Sequence, residues 1–421
     1  MKLNVIAFFV LWCITAAAYG QQEASNWFFG YGAGLQFNGG KPEFQPGKIN
    51  QWEGCASISD SDGKLLFYTD GRTVWNKRHL VMENGRSLKG HNSSTQSSVI
   101  IPHPGNKNQY YIFTVAVEGS RDGLHYSIVD MEQEEGDGAV TEKNLALASP
   151  VCEKITGVRH QNNKDIWVIS HRFDSDEYLA WLITADGLQP DPVISPSGNP
   201  VSGKLNTIGY LKVSADGRKL AAAHFTTFIE VADFDNRTGI ISNFRKIIPA
   251  SGRLTMGVEF SPDGGYLYAT QTNRPNGKGD YSILQYPVLN DVRAMMQQQI
   301  LVDSGNIGGA AGALQLAPDG KMYVAFNGMS FLGSISKPSL QGKDCNFELE
   351  AIRFPGSYRS GLGLPAFIQS YFHGRRVVVN RWYYLAALGL LMVLLFYILR
   401  KKRKTQSPGN RKGISKDNDP V

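Results

Sequence analysis

Short apolar runs recur along most of the chain, and a polar turn separates each pair. Four pairs share one turn: "ASISDSDGKLLFYTD" from Ala56, "LKVSADGRKLAAAHF" from Leu211, "VEFSPDGGYLYATQ" from Val258 and "LQLAPDGKMYVAFN" from Leu314. In each, an apolar strand enters a small-x-Asp-Gly turn and a second apolar strand leaves it. Glycine accepts positive φ there and the aspartate carboxylate can accept from the turn backbone, so the pattern predicts a β-hairpin. "SSVIIPHPGNKNQYYIFTV" from Ser97 and "ITGVRHQNNKDIWVISH" from Ile155 fit the same pattern with altered turns. One or two further strand-like runs follow most hairpins, such as "YLAWLIT", "FIEVADF" and "YSILQYP". The hairpins are spaced roughly 40 to 60 residues apart, a period that marks repeat architectures.

Four-stranded units at this period predict the blades of a β-propeller. One small twisted sheet cannot bury both faces alone, and stacking sheets around an axis buries them against one another. Blades are expected to start near Gly54, Gln96, Cys152, Thr207, Thr255 and Gly312. Two pieces remain. "NWFFGYGAGLQFNGGKPEF", Asn26 to Phe44, supplies about three strands, and "GLGLPAFIQSYF", Gly361 to Phe372, supplies one. The expected fold is therefore all-β: a seven-bladed β-propeller closed by pairing of the N- and C-terminal strands, with one C-terminal transmembrane α-helix. The last strand is expected to pair with "NWFFGYG".

The two ends change the picture of where the domain sits. Residues 1–20 carry Lys2, the apolar run "VIAFFVLWCITAAA" and small residues before Gly20, the layout of a secretory signal peptide. "WYYLAALGLLMVLLFYIL", Trp382 to Leu399, has no charge and is just long enough to span a bilayer. An aromatic cluster lies at one end of it and "RKKRK" at the other, which predicts a cytoplasmic C-terminus and an inner-membrane, single-pass protein with its propeller in the periplasm. The expected organisation is a signal peptide over 1–20, the propeller over 21–372, a connector over 373–381, the span over 382–399 and a basic tail over 400–421. That tail holds eight Lys or Arg and two Asp, net +6, which equals the net charge of the whole chain. The folded part is thus near neutral and offers no global electrostatic case for nucleic-acid binding. Beyond Cys13 in the leader, Cys55, Cys152 and Cys345 leave two options: one disulfide with a free thiol, or three buried unpaired cysteines.

Motifs for catalysis are absent in sequence: no Gly-x-Ser-x-Gly elbow, no His-Glu-x-x-His and no phosphate-binding loop. The aspartates of the repeated turns, in "SDSDG" and at Asp216, Asp263 and Asp319, offer too few ligands for calcium and read as structural turns. His160, His171 and His224 end strands, but the metal ligands they would need are not assured, so no metal and no cofactor is expected. More informative are polar residues on or just before the first strands of their blades, because first strands line a propeller's channel. Glu53, Gln96, Glu153, Arg159, Glu259 and Gln315 stand there. Asp70 and Arg72 follow a second strand, and His160 follows a first. All nine are channel-rim candidates for binding a ligand.

The stretches "NWFFGYGAGLQF", "GCASISDSDGKLLFYTDGRTVWNKRHLVM", "STQSSVIIPHPGNKNQYYIFTV", "EKITGVRH" with "DIWVISH", and "GLPAFIQSYF" closely resemble the N-terminal propeller domain of many large secreted and surface proteins of Bacteroidetes. The Asp-Gly hairpins also look like TolB-type and WD-like repeats. The resemblance covers roughly Asn26 to Phe372. It departs from the pattern at the C-terminus, where no PKD module or type IX sorting domain follows. A cytoplasmic tail of 22 residues is too short for a kinase or DNA-binding domain. The leading expectation is a non-enzymatic module, not an enzyme, binding or sensing a protein, peptide or glycan on one propeller face. Two alternatives stand beside it: a periplasmic hydrolase or lyase with its site at the channel mouth, and a structural component of an envelope secretion or gliding complex.

Overall fold

The computed structural model of the chain describes residues 22–39, 41–273 and 280–373. The expected signal peptide, the membrane span and the basic tail lie outside the described residues.

The chain folds as the strand pattern predicts, into successive antiparallel units. The first has three strands, β1 (Asn26–Phe29), β2 (Ala33–Gln36) and β3 (Glu43–Phe44). Two four-stranded units follow: β4 (Cys55–Ser59), β5 (Leu65–Thr69), β6 (Thr73–Asn76) and β7 (Val81–Arg86), then β8 (Ser98–His103), β9 (Asn106–Val115), β10 (Leu124–Asp130) and β11 (Ala139–Ala148). The outermost strands of these two join by one parallel pairing, Ala139 with Glu83. The next unit holds β12 (Val151–Arg159), β13 (Ile166–Arg172), β14 (Ser175–Thr184), β15 (Gly187–Leu188) and β16 (Val193–Val201). Three more complete the series: β17 (Leu211–Val213) to β18 (Lys219–His224), β19 (Phe228–Asp235) and β20 (Ile240–Ile247); β21 (Arg253–Phe260) to β22 (Tyr266–Asn273), β23 (Asp280–Pro287) and β24 (Ile300–Asn306); and β25 (Ala311–Leu316) to β26 (Met322–Phe326), β27 (Phe331–Ile335) and β28 (Phe347–Arg353). The leading strands of successive units lie beside one another, from β1 by β4 through to β21 by β25. Trp27 and Phe37 of the first unit pack edge-on against Tyr323 of the last, with ring centroids 5.8 Å apart in both pairs. The arrangement is that of a β-propeller.

The Asp-Gly hairpins form for the reason their sequence gives. Gly63, Gly217, Gly264 and Gly320 adopt φ between +71° and +83°. Each donates its N–H to the carbonyl three residues back, at 2.8–3.0 Å. Asp216, Asp263 and Asp319 accept from the backbone N–H two residues on, at 3.1–3.2 Å. These carboxylates hold turns.

Closure differs from the expected pairing. A final strand, β29 (Pro365–Ala366), pairs in parallel with β4 rather than with β1: Pro365 lies opposite Cys55 and Ala366 opposite Ala56. Ile368 then bridges to Gly157 of β12, and Gln369–Phe372 close into a 3-10 turn. The backbone bridge to the "NWFFGYG" stretch comes instead from Arg359, just upstream, whose carbonyl accepts from Tyr31 N–H at 2.9 Å. The cause lies in "GLGLP". A Cβ at Gly361 would stand 2.4 Å from the Trp52 carbonyl, and one at Gly363 2.1 Å from the Glu53 carbonyl. Glycine permits this approach, and Leu362 N–H donates to the Trp52 carbonyl at 2.5 Å. The backbone is thereby laid along β4. Leu364, Phe367, Ile368, Gln369 and Tyr371 are all buried. The segment touches β1, β4, β8 and β12.

Among the described residues the α-helix α1 (Val292–Gln297) spans six residues, and no helix is long and apolar enough to cross a membrane. The expected transmembrane helix over 382–399 lies outside the described residues, and the inner-membrane, single-pass placement finds no support among the described ones. Cys55, Cys152 and Cys345 are buried and unpaired, the second of the two options.

Candidate functional site

Because the leading strands run in one direction around the ring, their starts define one rim and their ends the other. The axial segment follows the same direction, from Trp52 and Glu53 at the starting rim to Arg159 at the far one. This divides the expected channel residues into groups.

At the starting rim, Glu53 precedes β4 and is only 7% exposed. Its Oε2 is buried and has no hydrogen-bond partner. Burial, reinforced by the nearby Glu153 carboxyl, pushes the Glu53 pKa up to about 9. Glu153, on β12, is fully buried but well supplied with donors: Thr95 N–H at 2.9 Å, Thr95 Oγ1 at 3.1 Å and Glu118 N–H at 2.8 Å. Burial raises its pKa and these donors pull it back. Hydrogen bonds to the ionised form favour ionisation, so of the two carboxyls Glu53 is the one that keeps its proton. Gln96 ties three units together: its Oε1 accepts from Leu211 N–H at 2.7 Å and Ile155 N–H at 3.3 Å, and its Nε2 donates to the Leu211 carbonyl at 3.2 Å. Its role is structural.

Glu259 and Gln315 meet through a residue absent from the expected set, Lys212. The Lys212 ammonium donates to Glu259 Oε2 at 2.7 Å and to Gln315 Oε1 at 2.5 Å, joining β17, β21 and β25. Both side chains of the ion pair are at most 1% exposed. Burial lowers the Lys212 pKa and raises that of Glu259, while each charge holds the other. Lys154, also absent from the set, is buried with its ammonium on the carbonyls of Thr207, Ile208 and Gly209 at 2.6, 2.8 and 3.2 Å. Burial brings its pKa down to about 8. Both lysines interrupt apolar strand sequence ("YLKVS", "CEKIT"), the signal that could have marked them.

Of the remaining candidates, Asp70 and Arg72 lie near the start of β4, since Thr69 pairs with Ala56, while Arg159 and His160 do not. Asp70 caps the turn between β5 and β6, accepting from Arg72 N–H at 2.8 Å and Thr73 N–H at 2.7 Å, and Arg72 is exposed. Arg159 and His160 occupy the far rim. The Arg159 guanidinium carbon lies 5.7 Å from the Tyr371 ring centre, and His160 Nε2 is 2.9 Å from the Arg237 carbonyl. His171 and His224 do meet, with ring centroids 5.6 Å apart, but His160 is not with them. Among the described residues no cluster of three or more His, Cys, Asp or Glu is placed to hold a metal ion.

No protein-family model matches the chain, and no curated protein matches it. Solved structures are similar to it in overall fold. A Bacteroides fragilis protein described as a candidate 6-phosphogluconolactonase is 15% identical over 68% of this chain and 78% of its own, with a TM-score of 0.40. The periplasmic gluconolactonase of Pseudomonas aeruginosa is 14% identical over 64% of this chain and 75% of its own, with a TM-score of 0.39. The Cps50 β-propeller domain of Myceliophteria thermophila is 11% identical over 72% and 94%, with a TM-score of 0.36. At these scores the likeness carries no argument about fold or substrate. Enzymes stand among these structures, so the expectation of a non-enzymatic binding or sensing module finds no support in them, and a likeness of this size carries no argument about activity.

Proposed function

We propose that the starting rim is the acid–base site of a hydrolase, with Glu53 as the proton donor. The observation that carries this reading is the Glu53 carboxyl itself. It is buried, its Oε2 has no partner, and it keeps its proton up to about pH 9 beside Glu153. A carboxylic acid that is neutral at physiological pH can protonate a leaving oxygen as its carbon–oxygen bond breaks. Water then adds to the carbon and returns its proton to the Glu53 carboxylate, so the net reaction consumes one water and restores the acid. Burial keeps the proton on Glu53, and Glu153, pinned by Thr95 and Glu118, adds to that effect. The same reading takes the seven strand groups as blades of one closed ring, of the kind that opens large secreted Bacteroidetes proteins.

A panel of lactones, esters and glycosides tests this. At least one is expected to turn over, with kcat/KM falling above an apparent pKa near 9, as Glu53 loses its proton. Glu53→Gln should cost about 10²–10⁴ in rate. Absence of turnover across the panel, or an alkaline limb that survives in Glu53→Gln, would overturn the reading.

A further inference from the structure

Two residues before Glu53 stands a second buried polar group with unmet capacity. Gln51 is 3% exposed, and its Oε1 is buried without a hydrogen-bond partner. The orientation of this amide is fixed by chemistry. Its nitrogen donates to the Gly54 carbonyl, a group that can only accept, so the oxygen is the atom left over. Two unpartnered buried oxygens, Gln51 Oε1 and Glu53 Oε2, therefore stand at positions two apart in sequence.

The segment that carries them is held on both sides. Gln51 N–H donates to the Gly30 carbonyl at 3.0 Å, and the Trp52 carbonyl accepts from Leu362 N–H at 2.5 Å and Gly363 N–H at 3.2 Å. The Glu53 backbone is packed against Gly363. The Gln51 oxygen thus sits on backbone anchored to the first sheet and to the axial segment, as a preorganised acceptor requires. A buried carbonyl without a donor is unfavourable, and a ligand that supplies the donor relieves it.

We propose that Gln51 determines which substrate the rim accepts: its Oε1 takes a hydrogen bond from a hydroxyl of the substrate, next to the bond whose leaving oxygen Glu53 protonates. The substrate class is accordingly one that carries a free hydroxyl beside the scissile bond. This rests on the reading of Glu53 as proton donor. Gln51 acts as a specificity-determining residue, and it needs no charge change of its own. A site built to bond a substrate hydroxyl discriminates strongly against the analogue that lacks it, because its own polar group is then left bare.

The test uses the full chain, a hydroxylated substrate that it turns over, and the matching deoxy analogue. The wild type should favour the hydroxylated compound by at least about 100-fold in kcat/KM. Gln51→Met, close in volume but without the acceptor, should bring that ratio to within about tenfold of unity while retaining the alkaline limb that reports Glu53. A wild-type ratio near one, or a ratio unchanged in Gln51→Met, overturns the proposal and leaves the role of Glu53 standing. A second measurement needs no turnover: calorimetric binding of an uncleavable methyl thioglycoside and its 2-deoxy counterpart to Glu53→Gln and to the Gln51→Met/Glu53→Gln double variant. Preference for the hydroxylated ligand in the first and its loss in the second supports the assignment of Gln51 even if the hydrolase reading fails. Equal binding of both ligands to Glu53→Gln overturns it.

Discussion

Replacing Phe367 and Ile368 together by alanine is expected to bring the domain close to unfolding. Both side chains are buried, at 2% and 0% exposure, in the axial segment where it crosses from β4 to β12. Phe367 also lies 5.9 Å from Trp27, ring centre to ring centre, so its loss is felt in the first sheet. Phe→Ala and Ile→Ala in a packed core cost about 3–5 and 2–5 kcal/mol, so the pair costs roughly 5–10 kcal/mol if the terms add. Native domains are stable by only about 5–15 kcal/mol. The substitution of an exposed residue nearby, Ser357→Ala, should change stability by less than about 0.5 kcal/mol. Denaturant unfolding of the two variants separates an axial element of the core from a chain end that merely rests on it. Equal midpoints for both would show that the segment is peripheral.

The second large effect concerns the buried lysine. Glu259→Ala leaves the Lys212 ammonium with Gln315 as its remaining side-chain acceptor in a site at most 1% exposed. Removing one partner of a buried ion pair costs about 3–5 kcal/mol, because the other charge stays behind without compensation. Replacing both, as Lys212→Met with Glu259→Met, removes the stranded charge and should recover most of that loss. A double variant as unstable as Glu259→Ala alone would mean that shape at the junction of β17, β21 and β25 matters more than charge. Denaturant midpoints of the single and double variants decide it.

Much of the fold could be read from the sequence because its determinants are local. An Asp-Gly turn between two apolar runs carries its own backbone geometry, and Gly63, Gly217, Gly264 and Gly320 adopt the positive φ that their turns need. Closure was less legible because it depends on a contact between residues some three hundred positions apart. The alternation in "PAFIQSYF" is that of any half-buried strand and does not name its partner. The two glycines of "GLGLP" held the decisive information, since they allow the backbone to lie against Trp52 and Glu53. The site was legible in part. Glu53 and Glu153 stood out as charged residues at strand starts, and they do share a rim. Lys154 and Lys212 were missed although each interrupts an apolar strand, a place where a charge persists only with buried partners. Gln51 gave no signal, because an uncharged amide in a loop is ordinary until its oxygen is seen to be buried and unpartnered.

The central claim is that Glu53 holds a proton at neutral pH because it is buried beside Glu153. A carbon-13 NMR titration of the glutamate carboxyls, with the Glu53 signal assigned through Glu53→Gln, measures this directly. The midpoint should lie near 9 in the wild type and move down in Glu153→Gln, where the neighbouring charge is gone and burial alone remains. A midpoint in the ordinary carboxylate range of about 4–5, or one indifferent to Glu153→Gln, would contradict it.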